Sequence, residues 1–236
     1  VTTYGSYFVN GRFTLMRDAM MQRLLAETGL DTQAYRPAVV YLNGDYWGIH
    51  NLREKINEHY VIGNHSVPRG GLDLIEGYGT VIAGDSQAYT AMRSFVSTRD
   101  LGIATNLQTL VDRYLDLDNF LDYQASIAYF QNFDIGNIKC WRPRVPNGRF
   151  RWIVYDQDYG FHLWRPEVYL PAMARDYASY DNMFAFSTAG TGTGTGWPNE
   201  GGRTLMLRRL LMNPGVRTRF IQRSADPVSY THLRAH

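Results

Sequence analysis

Apolar and polar residues follow two different spacings along this chain, and each spacing predicts a different kind of element. Residues 117–131 carry apolar side chains every three or four positions, which is typical of an amphipathic helix. The same spacing predicts five further helices, over 14–27, from Asp85 or Ser86 to Ser97, and over 106–115, 205–212 and 214–223. In the helix over 14–27, the apolar stripe that we expect to face the core consists of Met16, Met20, Leu24 and Leu25.

Short runs of β-branched and aromatic residues, separated by turn residues, predict three hairpins. Pro37–Arg53 has Asn43-Gly44 at its centre, a pair that tolerates the positive φ angles of a tight turn. Residues 72–84 indicate two short strands, and a third pair of strands is predicted over 138–141 and 151–155. Antiparallel hairpins that alternate with helices predict an α+β fold.

Polar side chains lie on both sides of the third hairpin. Asn132, Asp134 and Asn137 precede its first strand, while Asp156 and Asp158 follow its second strand. Folding the hairpin brings the two groups together, and the period of a strand places both final carboxylates on one face. Two anions this close repel each other unless a proton or a cation lies between them. Hard oxygen ligands in this arrangement favour Mg²⁺ or Mn²⁺.

Composition narrows the class of protein. The chain has 236 residues, of which 44% are hydrophobic, so it can bury the core of one domain. A formal net charge of +2 gives no indication of a nucleic-acid partner. Cys140 is the single cysteine, which excludes an internal disulfide, and no stretch approaches the roughly 20 apolar residues of a membrane span.

Two motifs lie around the third hairpin, N-x-D-x-G-N-x-K-x-W-R at 132–142 and N-G-x-x-R-W-I-x-Y-D-x-D at 147–158. Both resemble the CotH family of atypical protein kinases. Further similarity lies in Y-L-N-G-x-Y-x-G and the following R-E within 36–56, in Arg17-Asp18, and in 213–226. The motifs occur in family order through nearly the whole chain, so together they are more specific than any one of them.

The resemblance implies a partial kinase-like domain over 1–226. Its hairpin-rich part, 1–84, would lie near the nucleotide site, and its helical part, 85–226, would carry the catalytic hairpin. Arg17-Asp18 would form a lobe-organising ion pair. In a kinase, a phosphate-pairing lysine and a glycine-rich loop would precede a segment like 1–56, and neither is visible here. We therefore expect a fragment that lacks the N-terminal part of the domain. Residues 227–236 resemble a translated sequencing adapter, and we expect a non-native tail there.

The resemblance also implies a reaction, in which the γ-phosphoryl group of ATP moves to a Ser or Thr hydroxyl of a protein substrate. Asp134 would accept or orient the hydroxyl proton, and Asn137 and Asp156 would hold Mg²⁺ or Mn²⁺ with help from Asp158. Glu54 and Lys139 would contact the nucleotide. An extracellular, cell-surface or spore-coat location follows from the same resemblance.

Glu54 and Lys139 also have purely structural interpretations, and the function has alternatives. Glu54 also suits the start of a helix, and Lys139 also suits a solvated strand position. A metal-dependent glycosyltransferase would use the same D-x-D but predicts parallel βαβ units before Asp156. A non-catalytic surface or adhesion module needs no metal, and paired glycosidase carboxylates do not explain the neighbouring asparagines.

Overall fold

A computed structural model describes residues 16–132, 134–160 and 201–233, which form helices and antiparallel strands. The helices are α1 Arg17–Leu25, α2 Glu58–His65, α3 Gln87–Thr98, α4 Ala104–Arg113, α5 Leu117–Phe130, α6 Gly201–Leu210 and α7 Pro214–Leu233. The strands are β1 Tyr35–Leu42, β2 Asp45–Arg53, β3 Leu72–Glu76, β4 Thr80–Ala83, β5 Lys139–Pro143 and β6 Arg151–Ile153. The predicted α+β class is confirmed, and none of the described helices is long and apolar enough to cross a bilayer.

Strands β1 and β2 form a separate two-stranded antiparallel sheet. Its turn is made by Asn43 and Gly44, which adopt φ angles of 52° and 92°. These are the positive angles that the Asn-Gly pair tolerates at low cost, so the prediction of this hairpin is confirmed.

The other four strands form one antiparallel sheet in the order β4-β3-β5-β6. Cys140 of β5 lies opposite Ile75 of β3 on one side and Trp152 of β6 on the other. Both predicted hairpins in this region are present. Strand β6 ends at Ile153, however, so the acidic segment that follows belongs to a loop and not to the strand.

The two faces of this sheet carry separate hydrophobic cores. Cys140 and Trp152 face the larger core, which contains the buried side chains of α3, α5, α6 and α7. Trp141 and Leu74 face a smaller core that is closed by Tyr60 and Val61 of α2. Because both of its faces are buried, the sheet is a rigid support for the loops at its ends.

Asn119 fixes α5 against β6. Its side-chain Oδ1 accepts a hydrogen bond from the Trp152 N–H at 2.6 Å, and its Nδ2 donates to the Trp152 carbonyl at 3.2 Å. Asn119 is buried, and Phe120 beside it packs edge-on against the Trp152 ring with centroids 4.8 Å apart. Helix α5 and β6 therefore hold the two polar loops at fixed relative positions.

The predicted inward face of α1 is wrong at three of its four residues. Met16, Met20 and Leu24 are 55%, 41% and 46% exposed, whereas Leu25 is buried as predicted, and Asp18 and Gln22 are buried as well. The reason is a polar interaction with the loop after β6, since Gln22 Nε2 donates to the Val154 carbonyl at 2.9 Å. Met21 and Leu25 pack into the larger core, and the hydrogen bonds of Asp18 and Gln22 to buried backbone groups hold α1 in the same orientation.

Candidate active site

The loop after α5 and the loop after β6 meet at Asn137. Its Nδ2 donates to Asp134 Oδ2 at 2.7 Å and to Asp156 Oδ2 at 2.8 Å. The hairpin thus places two predicted site residues, Asp134 and Asp156, within hydrogen-bond distance of Asn137, although they are far apart in sequence.

Asn132 shapes the first of these loops. Helix α5 ends at Phe130, and the next residue, Gln131, has a φ of 53° that turns the chain away from the helix. Asn132 Oδ1 then accepts from the Asp134 N–H at 3.0 Å, and its Nδ2 donates to Gln157 Oε1 at 3.0 Å. One buried side chain therefore fixes its own loop and connects it to the other.

Asp156 and Asp158 come together by a different route from the predicted one. They follow the end of β6, and Asp156 has a left-handed φ of 53°, so a strand face does not align them. Their carboxyl groups nevertheless lie close enough for each to shift the pKa of the other. The sharp turn at Asp156 is an unusual conformation for a non-glycine residue and is typical of functional loops.

Burial and neighbouring carboxylates raise the pKa values of both carboxyl groups. Burial, followed by the charges of Asp156 and Asp18, raises the pKa of Asp158 to about 7. The pKa of Asp156 is raised as well, first by burial and then by the charges of Asp134 and Asp18. The pair therefore retains a proton up to a higher pH than ordinary carboxyl groups do, unless a cation replaces that proton.

The donor set fits a hard divalent cation. Oδ1 of Asp158 is buried and accepts no hydrogen bond from the N–H or O–H donors of the described residues. Those residues contain no group of three or more His, Cys, Asp and Glu side chains placed to hold a metal. Magnesium, however, commonly takes only one or two carboxylates and completes its shell with water and phosphate oxygens. Asp156 and Asp158 satisfy that requirement, and Asn137 adds an amide oxygen if its side chain rotates.

Asp18 is a site residue that the sequence analysis did not assign to this cluster. Its Oδ1 accepts a hydrogen bond from the Gln157 N–H at 2.7 Å, and its ion-pair partner is Arg53. Arg17 donates instead to the Gly160 carbonyl at 3.3 Å. The expected pairing of Arg17 with Asp18 is thus replaced by two contacts that fix the loop after β6. Asp18 and Gln157 are 139 positions apart in the sequence, so no local pattern signals this contact.

Glu54 lies at the base of the first hairpin. Its Oε2 accepts from the Ala34 N–H at 2.8 Å, and Gln33 Nε2 donates to its carbonyl at 2.6 Å. Helix α2 begins only at Glu58, so the helix-start interpretation of Glu54 is wrong. The hydrogen bonds of Glu54 close the hairpin, and they do not join it to the acidic cluster.

Lys139 is a buried lysine, 8% exposed. Its Nζ lies 3.4 Å from Glu76 Oε1 and 4.1 Å from the centroid of the Tyr155 ring. The alternative of a solvated strand lysine is therefore wrong. Its charge is balanced by a carboxylate and an aromatic face at the start of β5, two residues from Asn137.

Comparison with known proteins agrees with this arrangement. A family model described as CotH kinase protein matches residues 13–229, which include both loops of the site and most of the chain. No curated protein matches the chain significantly. A match over this range shows that the chain belongs to the CotH kinase protein family and is a kinase-like protein.

Proposed function

We propose that this protein is a Mg²⁺- or Mn²⁺-dependent kinase that transfers the γ-phosphoryl group of ATP to a Ser or Thr hydroxyl of a protein substrate. The observation that carries the proposal is the position of Asn137, which hydrogen bonds to both Asp134 and Asp156. A phosphoryl-transfer site needs a proton acceptor beside a metal-binding carboxylate, and this side chain joins one of each.

Each acidic residue has a distinct role in the proposed reaction. The bound cation would neutralise the phosphate oxygens of ATP. Asp156, Asp158 and Asn137 would hold it, and Asp134 would accept the proton of the attacking hydroxyl. The hydroxyl oxygen forms a bond to the γ-phosphorus while the bond from that phosphorus to the bridging oxygen breaks, and ADP leaves with the electron pair.

Two residues are proposed to act on the nucleotide. Lys139 lies two residues from Asn137 and would contact a phosphate oxygen by exchanging its 3.4 Å contact with Glu76. Glu54 would act from the base of the first hairpin, next to Arg53, the partner of Asp18. In this proposal both residues bind and orient ATP, and neither takes part in proton transfer.

The rival enzyme class has less support. A D-x-D glycosyltransferase predicts parallel βαβ units before Asp156, whereas β5 and β6 are antiparallel.

A non-catalytic surface module has one observation in its favour, which is the exposure of apolar residues on the first hairpin. Val39, Tyr41, Tyr46 and Ile49 are each more than half exposed. Such a module, or a kinase with a second binding surface, would suit the proposed extracellular, cell-surface or spore-coat location.

The deciding experiment separates nucleotide binding from transfer. The full-length protein is incubated with γ-labelled ATP, Mg²⁺ and a degenerate Ser/Thr peptide mixture, and Asp134→Asn is compared with the wild type. We expect Asp134→Asn to bind ATP with unchanged affinity but to lose at least about a hundredfold in transfer rate, because the proton acceptor is gone. Equal transfer by both proteins would refute the role of Asp134, and no transfer by the wild type would favour the binding module.

A further inference from the structure

A cleft beside the Asp134–Asn137 loop is lined by two arginines and, among the residues that the structure describes, by no acidic side chain. It lies between α3, α5, α6 and the sheet. Its lining includes Tyr78, Tyr89, Arg93, Gln124, Arg203 and Met206. Nothing in the proposed transfer reaction uses this cleft.

Both guanidinium groups lie over the same aromatic ring. The Cζ atom of Arg93 is 5.2 Å from the centroid of Tyr78, and that of Arg203 is 5.7 Å from it. Arg93 also donates to the Gly202 carbonyl at 3.2 Å and lies 5.9 Å from the centroid of Tyr89. These contacts hold the planes of the guanidinium groups in place, which reduces the entropy lost when they bind a ligand.

Two cations that line one partly buried cleft repel each other. None of the ion pairs among the described residues involves Arg93. An oxyanion between the two groups would remove the repulsion and accept charge-assisted hydrogen bonds from both. Carboxylate and phosphoryl groups match the fork of N–H donors that an arginine presents.

The cleft is mechanically connected to the candidate active site through Gly136. A Cβ atom at this position would lie 2.0 Å from Nη1 of Arg203 and 2.5 Å from its Cζ. The guanidinium of Arg203 therefore packs directly on the backbone between Asp134 and Asn137. A group bound to Arg203 would lie beside the loop that carries the proposed proton acceptor.

We propose that Arg93 and Arg203 form a binding site for an oxyanion of the protein substrate, a carboxylate or phosphoryl group close to the acceptor hydroxyl. The site selects substrates in which an acidic or already phosphorylated residue flanks the Ser or Thr. This inference rests on the proposed kinase function, but it concerns binding and is testable without phosphate transfer.

The experiment measures binding of fluorescent peptide mixtures to the full-length protein by anisotropy, without nucleotide. Alanine replaces the acceptor, and a flanking residue is phosphoserine, glutamate or glutamine in otherwise identical degenerate peptides. We expect the phosphoserine or the glutamate mixture to bind about tenfold more tightly than the glutamine mixture. The order of the two acidic mixtures identifies the preferred oxyanion. Arg93→Gln and Arg203→Gln should each remove the preference.

Arg113→Gln is the matched control, since Arg113 is an exposed arginine on α4. It should keep the full preference, and circular dichroism and melting curves should show that all three variants are folded. Equal binding of the three mixtures by the wild type, or a preference that survives both cleft substitutions, would overturn the proposal. Charge-selective binding without transfer would contradict only the kinase function, whereas transfer without charge selection would contradict only the oxyanion site.

Discussion

Asp156 and Asp158 are half-buried side chains, and the candidate site depends on whether their carboxyl groups are protonated. Burial and neighbouring carboxylates raise the pKa of each. A proton and a divalent cation both neutralise the same oxygens, so they compete for them. The apoprotein at neutral pH is therefore partly protonated where the metal-bound protein would not be.

The pH dependence of stability should reveal this competition. The pKa of Asp158 is about 7 in the folded protein and has a usual value of 3.8, so the folded state binds the extra proton between these pH values. The free energy of unfolding should then fall as the pH rises from about 4 to about 7. Asp158→Asn removes this dependence. In EDTA, the change that this substitution makes to the free energy of unfolding should be about 2–4 kcal/mol more stabilising at pH 8 than at pH 4. Urea unfolding at a series of pH values measures both quantities.

Added Mg²⁺ supplies the control for this prediction. The cation should stabilise the wild type at pH 8 more than Asp158→Asn, because the variant lacks one anionic ligand. If the two proteins show parallel stability curves from pH 4 to pH 8, the carboxyl groups do not share a proton and the cation has no special place between them.

At the scale of elements, the position of α5 relative to β6 depends on one buried asparagine. Asn119 pairs with both backbone groups of Trp152 as another strand would do. Asn119→Ala leaves a buried N–H and a buried C=O without partners, and each costs about 1–3 kcal/mol. We expect the variant to lose about 2–4 kcal/mol of unfolding free energy, and also to bind ATP more weakly because the two loops separate.

Asn106→Ala is the matched control for that change. Asn106 also donates a side-chain hydrogen bond, to the Asp100 carbonyl at 2.9 Å, but this bond is exposed to solvent. Water replaces the lost bond there, so the cost should stay below about 1 kcal/mol. Similar losses in both variants, measured by urea unfolding, would mean that Asn119 does not fix α5 against β6.

Elements with local signals were predictable from the sequence, and contacts between distant elements were not. The first hairpin follows from Asn43-Gly44, because only a few residues adopt both positive φ angles readily. Leu25 of α1 faces the core as predicted, but Met16, Met20 and Leu24 do not, because Asp18 and Gln22 are buried against partners in the loop after β6. The meeting of Asn137 with Asp156 followed from the hairpin, whereas the packing of Arg203 on Gly136 depends on a helix far along the chain.

At the scale of the whole molecule, the candidate site joins segments from very different parts of the chain. Asp18 of α1 binds the backbone at Gln157 and pairs with Arg53 at the end of β2. Asn132, after α5, donates to the Gln157 side chain. Unfolding any of these segments disrupts the site, so ligand binding should stabilise the entire described domain and not a single loop.

This linkage predicts a ligand-dependent melting temperature for the full-length protein. A ligand at a hundred times its dissociation constant adds about 2.7 kcal/mol, which for a domain of this size corresponds to about 5–10 °C. Mg²⁺ or Mn²⁺ with a non-hydrolysable ATP analogue should produce such a rise, and Asp156→Ala should abolish it. Asp112→Ala removes an exposed carboxylate from α4 and should leave the rise intact. An equal rise in the wild type and in Asp156→Ala would show that the nucleotide and its metal bind elsewhere, since Asp156 is the carboxylate that Asn137 connects to the proposed proton acceptor.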